Sequence, residues 1–229
     1  MKNTLIIGAT HGDEAIGMRA ITTLAQSRDD FDWVIGNPRA YAAKTRFTQA
    51  DLNRSAPGDL MSSVYEERRA AMLIQMSKQY QSVIDIHGAE KNTGLFIILT
   101  NPSEKNLQLA SQFDVRRIVI WPAITPDLEG PVSEFFPCGL EIECGPKDSA
   151  EVQEELERVL ADYLDKKTPE VEQEVYEVYG ELRSDPGVTL NEFEKVTIDD
   201  ETFYPLLIGT YAKAYDVVCY KLRKRGEIN

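Results

Sequence analysis

The stretch TLIIGATHGDEAIG, residues 4–17, joins an apolar run, a glycine-containing turn and the start of a helical pattern. The run from Thr4 to Ala9 predicts a buried strand, and the pattern from Glu14 to Gln26 predicts a helix. One of the two histidines of the chain, His11, lies on the turn between them. Ligands and catalytic groups of open α/β sheets gather beyond the carboxyl ends of strands, which makes His11 a candidate functional residue.

The same alternation of apolar runs and helical patterns continues through the first two thirds of the chain. Further strands are predicted at Asp32 to Ile35, Ser82 to Ile86, Gly94 to Leu99, Arg117 to Trp121 and Leu140 to Glu143. Further helices are predicted at Ser62 to Gln79, Glu104 to Gln112 and Ser149 to Leu164. Short apolar strands between helices are typical of a sheet covered on both faces. The sequence therefore predicts an α/β fold with a mostly parallel, mixed sheet flanked by helices.

The pattern changes near residues 166–169. Beyond Pro169, the segments VEQEVYEVYGELR, FYPLLIG and DVVCYKLRK alternate as strands do, and no convincing helical pattern follows. We therefore expect an α/β domain over residues 1–167 and a small β-rich C-terminal domain over residues 168–229.

Composition restricts the classes of partner and location. The formal net charge of −13 at pH 7 argues against nucleic acid, whose binding requires Lys and Arg to neutralise phosphates. No run approaches the roughly 18 apolar residues of a membrane helix, and no secretory signal is recognisable. Three cysteines without CxxC spacing indicate neither a disulfide framework nor a cysteine zinc site, so we expect a cytoplasmic protein.

Three residues form a candidate metal site. Glu14 follows His11 by three residues, and the intervening turn can direct both side chains at one point. The second histidine, His87, lies in VIDIHG, where another apolar strand ends at glycine. Alone, each histidine would more often be a structural residue, and Glu14 a favourable charge at a helix N-terminus. Together they predict a catalytic zinc site, which usually has three protein ligands and one open position.

A pair of carboxylates lies in LEIECGP. Glu141 and Glu143 are two residues apart, so they share one face of the predicted strand. Glu143 is nearer the end of that strand, where it could accept a proton from a water at the metal. The alternative is that one member of the pair forms an ion pair with a lysine or arginine.

The polar stretch NPRAYAAKTRFTQADLNRSAPGD between the histidines carries Arg39, Arg46 and Arg54. Arginine can bind a carboxylate bidentately or stabilise a developing oxyanion. Scattered surface arginines are the simpler interpretation unless these side chains converge on the metal. The sequence lacks both the phosphate-loop motif and the GxSxG motif of serine hydrolases.

In this order, HGDE, NPRA, RFTQADLNRSAPG, DIHG and IECGP resemble the succinylglutamate desuccinylase and aspartoacylase family, which is related to the zinc carboxypeptidases. The resemblance covers roughly residues 4–147. It implies a zinc-carboxypeptidase-like fold that binds one zinc ion per chain and hydrolyses the amide bond of a small N-acyl amino acid. The metal ligands it implies are His11, Glu14 and His87.

The resemblance also implies roles for other residues. Glu143 would be the general base and proton shuttle, and Arg46 would polarise the scissile carbonyl. Asn53 and Arg54 would hold the substrate carboxylate, while Asp51 would orient the first histidine.

Two features leave the substrate open. The segment PVSEFFPC, about ten residues before the general base, has no arginine where aspartoacylases carry a further substrate-binding one. In GTYAKAY, we name Tyr215 as a substrate-binding residue, with Tyr211 as the alternative. The other functions considered are a zinc carboxypeptidase acting on short peptides and a catalytically inactive metal-binding module.

Overall fold

The apolar runs form strands and the amphipathic segments form helices in the computed structural model, which describes residues 2–212 and 216–227. Within these residues, strands β1 to β10 span Thr4–Gly8, Asp32–Ile35, Ser82–Gly88, Gly94–Leu99, Arg117–Ile120, Gly139–Gly145, Glu174–Leu182, Val196–Ile198, Glu201–Leu206 and Cys219–Glu227. Helices α1 to α5 span Ile16–Leu24, Pro38–Ala43, Tyr65–Ser77, Glu104–Ala110 and Ala150–Leu164. None of the helices in the described part of the chain combines the length and apolar character needed to cross a bilayer.

The described strands form one mixed sheet in the order β2–β1–β3–β6–β4–β5–β7–β10–β9–β8. Strands β2, β1, β3 and β6 are parallel to one another. β4 is antiparallel to β6 and parallel to β5. The predicted mixed sheet flanked by helices is confirmed, and its parallel part places the ends of β1, β3 and β6 at one edge.

Helices cover both faces of the parallel strands. On one face, α1 and α5 pack over Ile84, Ile86 and Ile142. On the other face, α3 packs over Leu5, Ile7 and Val83, which precede the polar ends of their strands. Because a one-residue slip would exchange the two faces of a strand, these apolar layers fix which residues of β3 and β6 point to the α3 side.

The C-terminal strands extend the same sheet. β7 lies parallel to β5, β10 is antiparallel to β7, and β9 is antiparallel to β10. A shared apolar cluster joins Phe96 and Val119 of the first part to Tyr176 and Leu222 of the second. The β-rich character after residue 168 agrees with the sequence, while the division into two domains at residues 167 and 168 stays a prediction.

Parts of the helix prediction need correction, among them the start of α3 at Tyr65, three residues later than expected. α1 begins at Ile16, two residues later than expected, because Glu14 belongs to the preceding turn, where its N–H donates to the carbonyl of His11 (3.1 Å). α2 lies in a stretch that we expected to be a polar loop. Its start has a recognisable signal, since the Asn37 side chain accepts a hydrogen bond from the Ala40 N–H and Pro38 occupies the first turn.

Candidate active site

Neighbouring strands bring the candidate acids and the second histidine together. In the parallel pair of β3 and β6, His87 is in register with Glu143 and Asp85 with Glu141. Strand alternation turns all four side chains to the α3 side of the sheet, and Ile86 and Ile142 to the opposite core. The prediction that Glu141 and Glu143 share a face is confirmed.

The turn that carries His11 is shaped by close packing. Ala9 has a φ of 55°, in the left-handed region that few non-glycine residues adopt. Gly12 lies against α2, where an added Cβ would come within 2.1 Å of the Ala40 carbonyl carbon. The Gly12 N–H also donates to the Arg46 carbonyl (3.2 Å). The left-handed residue of this turn is thus Ala9, whereas Gly12 is required for the close approach of α2.

The three predicted metal ligands converge. Nδ1 of His11 lies 2.9 Å from Oε1 of Glu14, and Nδ1 of His87 lies 3.3 Å from Oε2 of the same carboxylate. The two Nδ1 atoms are 3.3 Å apart. All three residues are buried, and the Gly88 N–H donates to Oε2 of Glu14 (2.9 Å).

A carboxylate lies behind each imidazole. Nε2 of His11 is hydrogen-bonded to Oδ1 of Asp51 (3.0 Å). Nε2 of His87 lies 3.3 Å from Oδ2 of Asp85, whose other oxygen accepts a hydrogen bond from the Thr10 hydroxyl (2.7 Å). Such partners fix the tautomer and ring orientation of metal-binding histidines. We did not identify Asp85 from the sequence, although its position two residues before His87 in a strand places it on the same face.

These contacts fit a bound cation. If each Nε2–H donates to its carboxylate, both Nδ1 atoms present lone pairs towards each other and towards Glu14. Three acceptors this close require a positive charge between them. Burial acts to lower the pKa of His87, but the charges of Asp85 and Glu141 raise it well above its usual value. Two imidazoles and one carboxylate are a ligand set typical of zinc.

A second group of metal-binding residue types overlaps the first. Asp85, His87 and Glu141 also offer ligand atoms within 4.8 Å of one another. However, Oε1 of Glu141 accepts hydrogen bonds from Asn53 (3.2 Å) and from the Ser133 hydroxyl (2.7 Å). The second group contains one imidazole, whereas the trio of His11, Glu14 and His87 contains two, and two imidazoles with one carboxylate are the ligand set typical of zinc.

Glu143 lies beside this trio, in register with His87 on the neighbouring strand. Burial, followed by the charge of Glu14, raises the pKa of Glu143 to about 8. A carboxyl group with a pKa near neutrality can both accept and release a proton, which is the property that general acid–base catalysis requires.

The guanidinium of Arg46 links two carboxylates of the site. Its Nη1 donates to Glu14 (3.2 Å) and its Nε donates to Asp51 (3.2 Å). Burial acts to raise the pKa of Asp51, but His11 and Arg46 hold it well below its usual value. Asp51 therefore connects the first histidine to Arg46 as a charged carboxylate.

Asn53 and Arg54 both line the cavity next to these residues. The side chain of Asn53 is buried. Its Nδ2 donates a hydrogen bond to Oε1 of Glu141, and its Oδ1 accepts one from the Val132 N–H (3.0 Å). Nη1 of Arg54 donates to the backbone carbonyl of Asn53 (2.6 Å). Arg39, in contrast, stacks over the ring of Tyr65, 4.1 Å from its centroid.

Tyr211 also lines this cavity, whereas Tyr215 lies outside the described residues. Burial raises the pKa of the Tyr211 phenol to about 12, although Arg46 acts in the opposite direction. The phenol therefore stays protonated at neutral pH and can donate a hydrogen bond.

Glu66 is a buried residue of α3 that sequence reasoning missed. Its carboxylate accepts hydrogen bonds from the Thr48 hydroxyl (2.6 Å) and from the backbone N–H groups of Thr48 (2.9 Å), Gln49 (3.3 Å) and Ala50 (3.2 Å). These residues form the loop between Arg46 and Asp51. Glu66 therefore holds in place a loop that positions both site residues.

The profile of the succinylglutamate desuccinylase/aspartoacylase catalytic domain matches residues 1–165. The chain belongs to this family. The family resemblance of the five motifs is thereby confirmed, and with it the membership of this chain in a family of deacylases.

Sequence relatives of this desuccinylase/aspartoacylase family member include proteins named probable aspartoacylase. The one from Prochlorococcus marinus subsp. pastoris is 31% identical over 158 residues, which cover 63% of this chain and 54% of the relative. The one from Trichodesmium erythraeum is 29% identical over 170 residues, which cover 66% of this chain and 58% of the relative. The chain spans about half the length of the curated relatives it matches.

Two solved structures share the fold of this chain. Murine aminoacylase 3 superposes with a TM-score of 0.76 at 22% identity, covering 98% of this chain and 95% of that one. The succinylglutamate desuccinylase from Chromobacterium violaceum gives a TM-score of 0.72 at 13% identity, covering 98% and 85%. At these identities the likeness shows the fold alone.

Proposed function

We propose that this protein is a zinc-dependent deacylase that hydrolyses the amide bond of a small N-acyl amino acid. The observation that carries the proposal is the convergence of His11, Glu14 and His87 on one point beside Glu143. Family membership supports the reaction class. Zinc, the substrate class and the residue roles are our inference from the donor set and the cavity.

One zinc ion per chain, held by these three residues, would supply the Lewis acidity that activates water and polarises a carbonyl. Glu143 would accept a proton from the attacking water and then transfer it to the leaving nitrogen. The amide C–N bond breaks as that nitrogen gains the proton, and the products are a carboxylate and a free amine.

Arg46 would stabilise the negative charge that develops on the carbonyl oxygen. Its contacts with Glu14 and Asp51 use two of its five N–H groups and fix the guanidinium plane. A donor held in place before the reaction needs no reorganisation when the oxyanion forms.

Arg54 would bind the substrate carboxylate, with Asn53 forming part of the same surface. The side-chain hydrogen bonds of Asn53 to Glu141 and Val132 would keep this surface rigid. The protonated phenol of Tyr211 would supply a further hydrogen bond to the substrate. Tyr215 stays a prediction from the sequence.

The proposal also includes the cellular location of the protein. Cys138, Cys144 and Cys219 are free thiols, which supports the reducing cytoplasm expected from the sequence.

The test combines metal analysis with turnover. We expect the purified protein to contain stoichiometric zinc, to hydrolyse at least one member of an N-acyl amino acid panel, and to lose turnover on chelation. Glu143→Gln should retain zinc but lose turnover by about 100-fold or more. Glu104→Gln, at the exposed start of α4, is the control.

Undiminished turnover in Glu143→Gln would contradict the proposed base. Faster cleavage of short peptides than of N-acyl amino acids would favour a carboxypeptidase. Zinc binding without turnover of either class would favour an inactive metal-binding module.

A further inference from the structure

One part of the cavity wall is aromatic. We call Trp121, Tyr211 and Tyr220 the aromatic wall. The ring centroids of Trp121 and Tyr220 are 4.6 Å apart, and those of Tyr211 and Tyr220 are 5.8 Å apart, both in edge-to-face arrangements. Aliphatic side chains extend this surface, namely Ile98, Leu128 and Leu207.

The sheet holds two members of the aromatic wall, Trp121 and Tyr220, in position. Trp121 directly follows β5, and its N–H donates to the Leu99 carbonyl at the end of β4 (2.9 Å). Tyr220 is a buried residue of β10. Apolar surface fixed by rigid strands is a typical feature of a preformed ligand pocket.

The charged groups of the cavity favour a ligand with one carboxylate. Among its described lining residues, the cations are Arg46 and Arg54. Arg46 already contacts the carboxylates of Glu14 and Asp51, and in the proposed function it faces the scissile carbonyl. Among the described lining residues, a second ligand carboxylate would then have no further cation to pair with and would lie near the aromatic wall or Glu141.

Both of these environments are unfavourable for an anion, because a charge buried against the ring faces without a cationic partner carries a large desolvation cost and the acidic side chain of Glu141 would repel it. An apolar group on the same ligand would instead bury its surface against the aromatic wall. We infer that the substrate carries a single carboxylate and an apolar group that packs against Trp121, Tyr211 and Tyr220. This inference rests on the proposed function.

The first experiment compares four substrates with the zinc-loaded protein. N-acetylphenylalanine and N-hexanoylglycine each carry one carboxylate and an apolar group, on the amino acid side and the acyl side respectively. N-acetylaspartate and N-succinylglutamate carry additional carboxylates. We expect kcat/KM to be at least about tenfold higher for one of the apolar substrates than for both acidic ones.

Higher kcat/KM for either acidic substrate would overturn the inference and leave the proposed function intact. Comparable values for all four would also overturn it. Turnover of none of them would overturn the proposed function together with the inference.

The second experiment uses the two tryptophans of the chain. Trp121→Ala should lower kcat/KM for the preferred apolar substrate by about tenfold while changing the value for acidic substrates little. Trp33→Ala is the matched control, because Trp33 is 44% exposed on β2, the edge strand of the sheet next to β1. An equal loss for both substrate types in Trp121→Ala would contradict direct contact.

A binding measurement covers the case in which Trp121→Ala fails to fold. In the double variant Trp33→Phe, Glu143→Gln, Trp121 is the remaining tryptophan and turnover is slowed. N-acetylphenylalanine or N-hexanoylglycine should shift the emission of Trp121 in a saturable way, and N-acetylaspartate should not. A saturable shift with N-acetylaspartate alone would overturn the inference.

Discussion

Asp85 is a buried carboxylate with the Thr10 hydroxyl on one oxygen and Nε2 of His87 beside the other. The neutral amide in Asp85→Asn removes the negative charge beside Nε2, and when its NH2 group faces Nε2 it favours the other imidazole tautomer, which places the proton on Nδ1. We expect this variant to bind zinc about 10- to 100-fold more weakly. Competition with a zinc chelator measures the change.

Asp29→Asn is the control for this prediction, because Asp29 is exposed. Equal zinc affinity in wild type and Asp85→Asn would show that His87 is oriented without Asp85.

Gly12 provides a second prediction at the scale of single residues. In Gly12→Ala, the added methyl group would collide with backbone atoms of Ala40, and the hydrogen bond to the Arg46 carbonyl would be strained. We expect the free energy of unfolding to fall by about 1–3 kcal/mol, together with a loss of turnover. Chemical denaturation measures the first effect.

Gly180→Ala is the matched control, since its new methyl group would meet the flexible end of Lys221 and no backbone. Its stability should change by less than about 0.5 kcal/mol. A Gly12→Ala protein as stable and active as wild type would mean that α2 shifts away freely.

At the scale of secondary-structure elements, Glu66 couples α3 to the loop between Arg46 and Asp51. In Glu66→Gln, the side-chain NH2 group would replace an acceptor that faces backbone N–H groups. We expect the free energy of unfolding at pH 7 to fall by about 2 kcal/mol. Catalysis should fall as well, because Arg46 and Asp51 would lose their fixed positions.

The Glu66 prediction extends to pH. Burial acts to raise the pKa of Glu66, but the hydrogen bonds from Thr48, Asn37 and Gln49 hold it below its ordinary value of 4.5. A carboxyl group with a lowered folded-state pKa contributes stability above its unfolded-state pKa, and that stability is lost as the pH falls through the folded-state value.

The difference in stability between wild type and Glu66→Gln should therefore be constant near neutral pH and shrink below about pH 4.5. Thermal unfolding at a series of pH values measures it, with Glu104→Gln as the control. A difference that grows on acidification would contradict the charged state assigned to Glu66.

Element positions were largely predictable. The strands that carry the site residues agree with the predictions to within a few residues, because buried parallel strands are short apolar runs ended by glycine. α2 was not predicted, since its six residues are too few for an apolar period. The capping signal of Asn37 and Pro38 was the available indication.

At the scale of the whole molecule, the continuous sheet predicts that the protein unfolds cooperatively. Trp33 lies on β2, and Trp121 lies between β5 and the C-terminal strands. Because β5 pairs with β7 and their side chains share a core, we expect both regions to unfold in one transition. Denaturation of Trp33→Phe and Trp121→Phe, each with one remaining tryptophan, tests this expectation.

After correction for the stability effect of each substitution, coincident transitions would indicate one cooperative unit. Clearly separate transitions would instead show that the region around Trp121, whose ring contacts Tyr220 of β10, unfolds independently of the region around Trp33.

The sequence by itself determined the fold class and the strand ends, because strand periodicity and glycine-terminated apolar runs are local properties. It also indicated His11, Glu14 and His87, since histidine is rare in this chain. Only the tertiary structure decided that Asp85 and Glu66 support the site, that Tyr211 lines the cavity, and that an aromatic wall faces it. These contacts depend on strand register and on the pairing of distant segments, which no local pattern encodes.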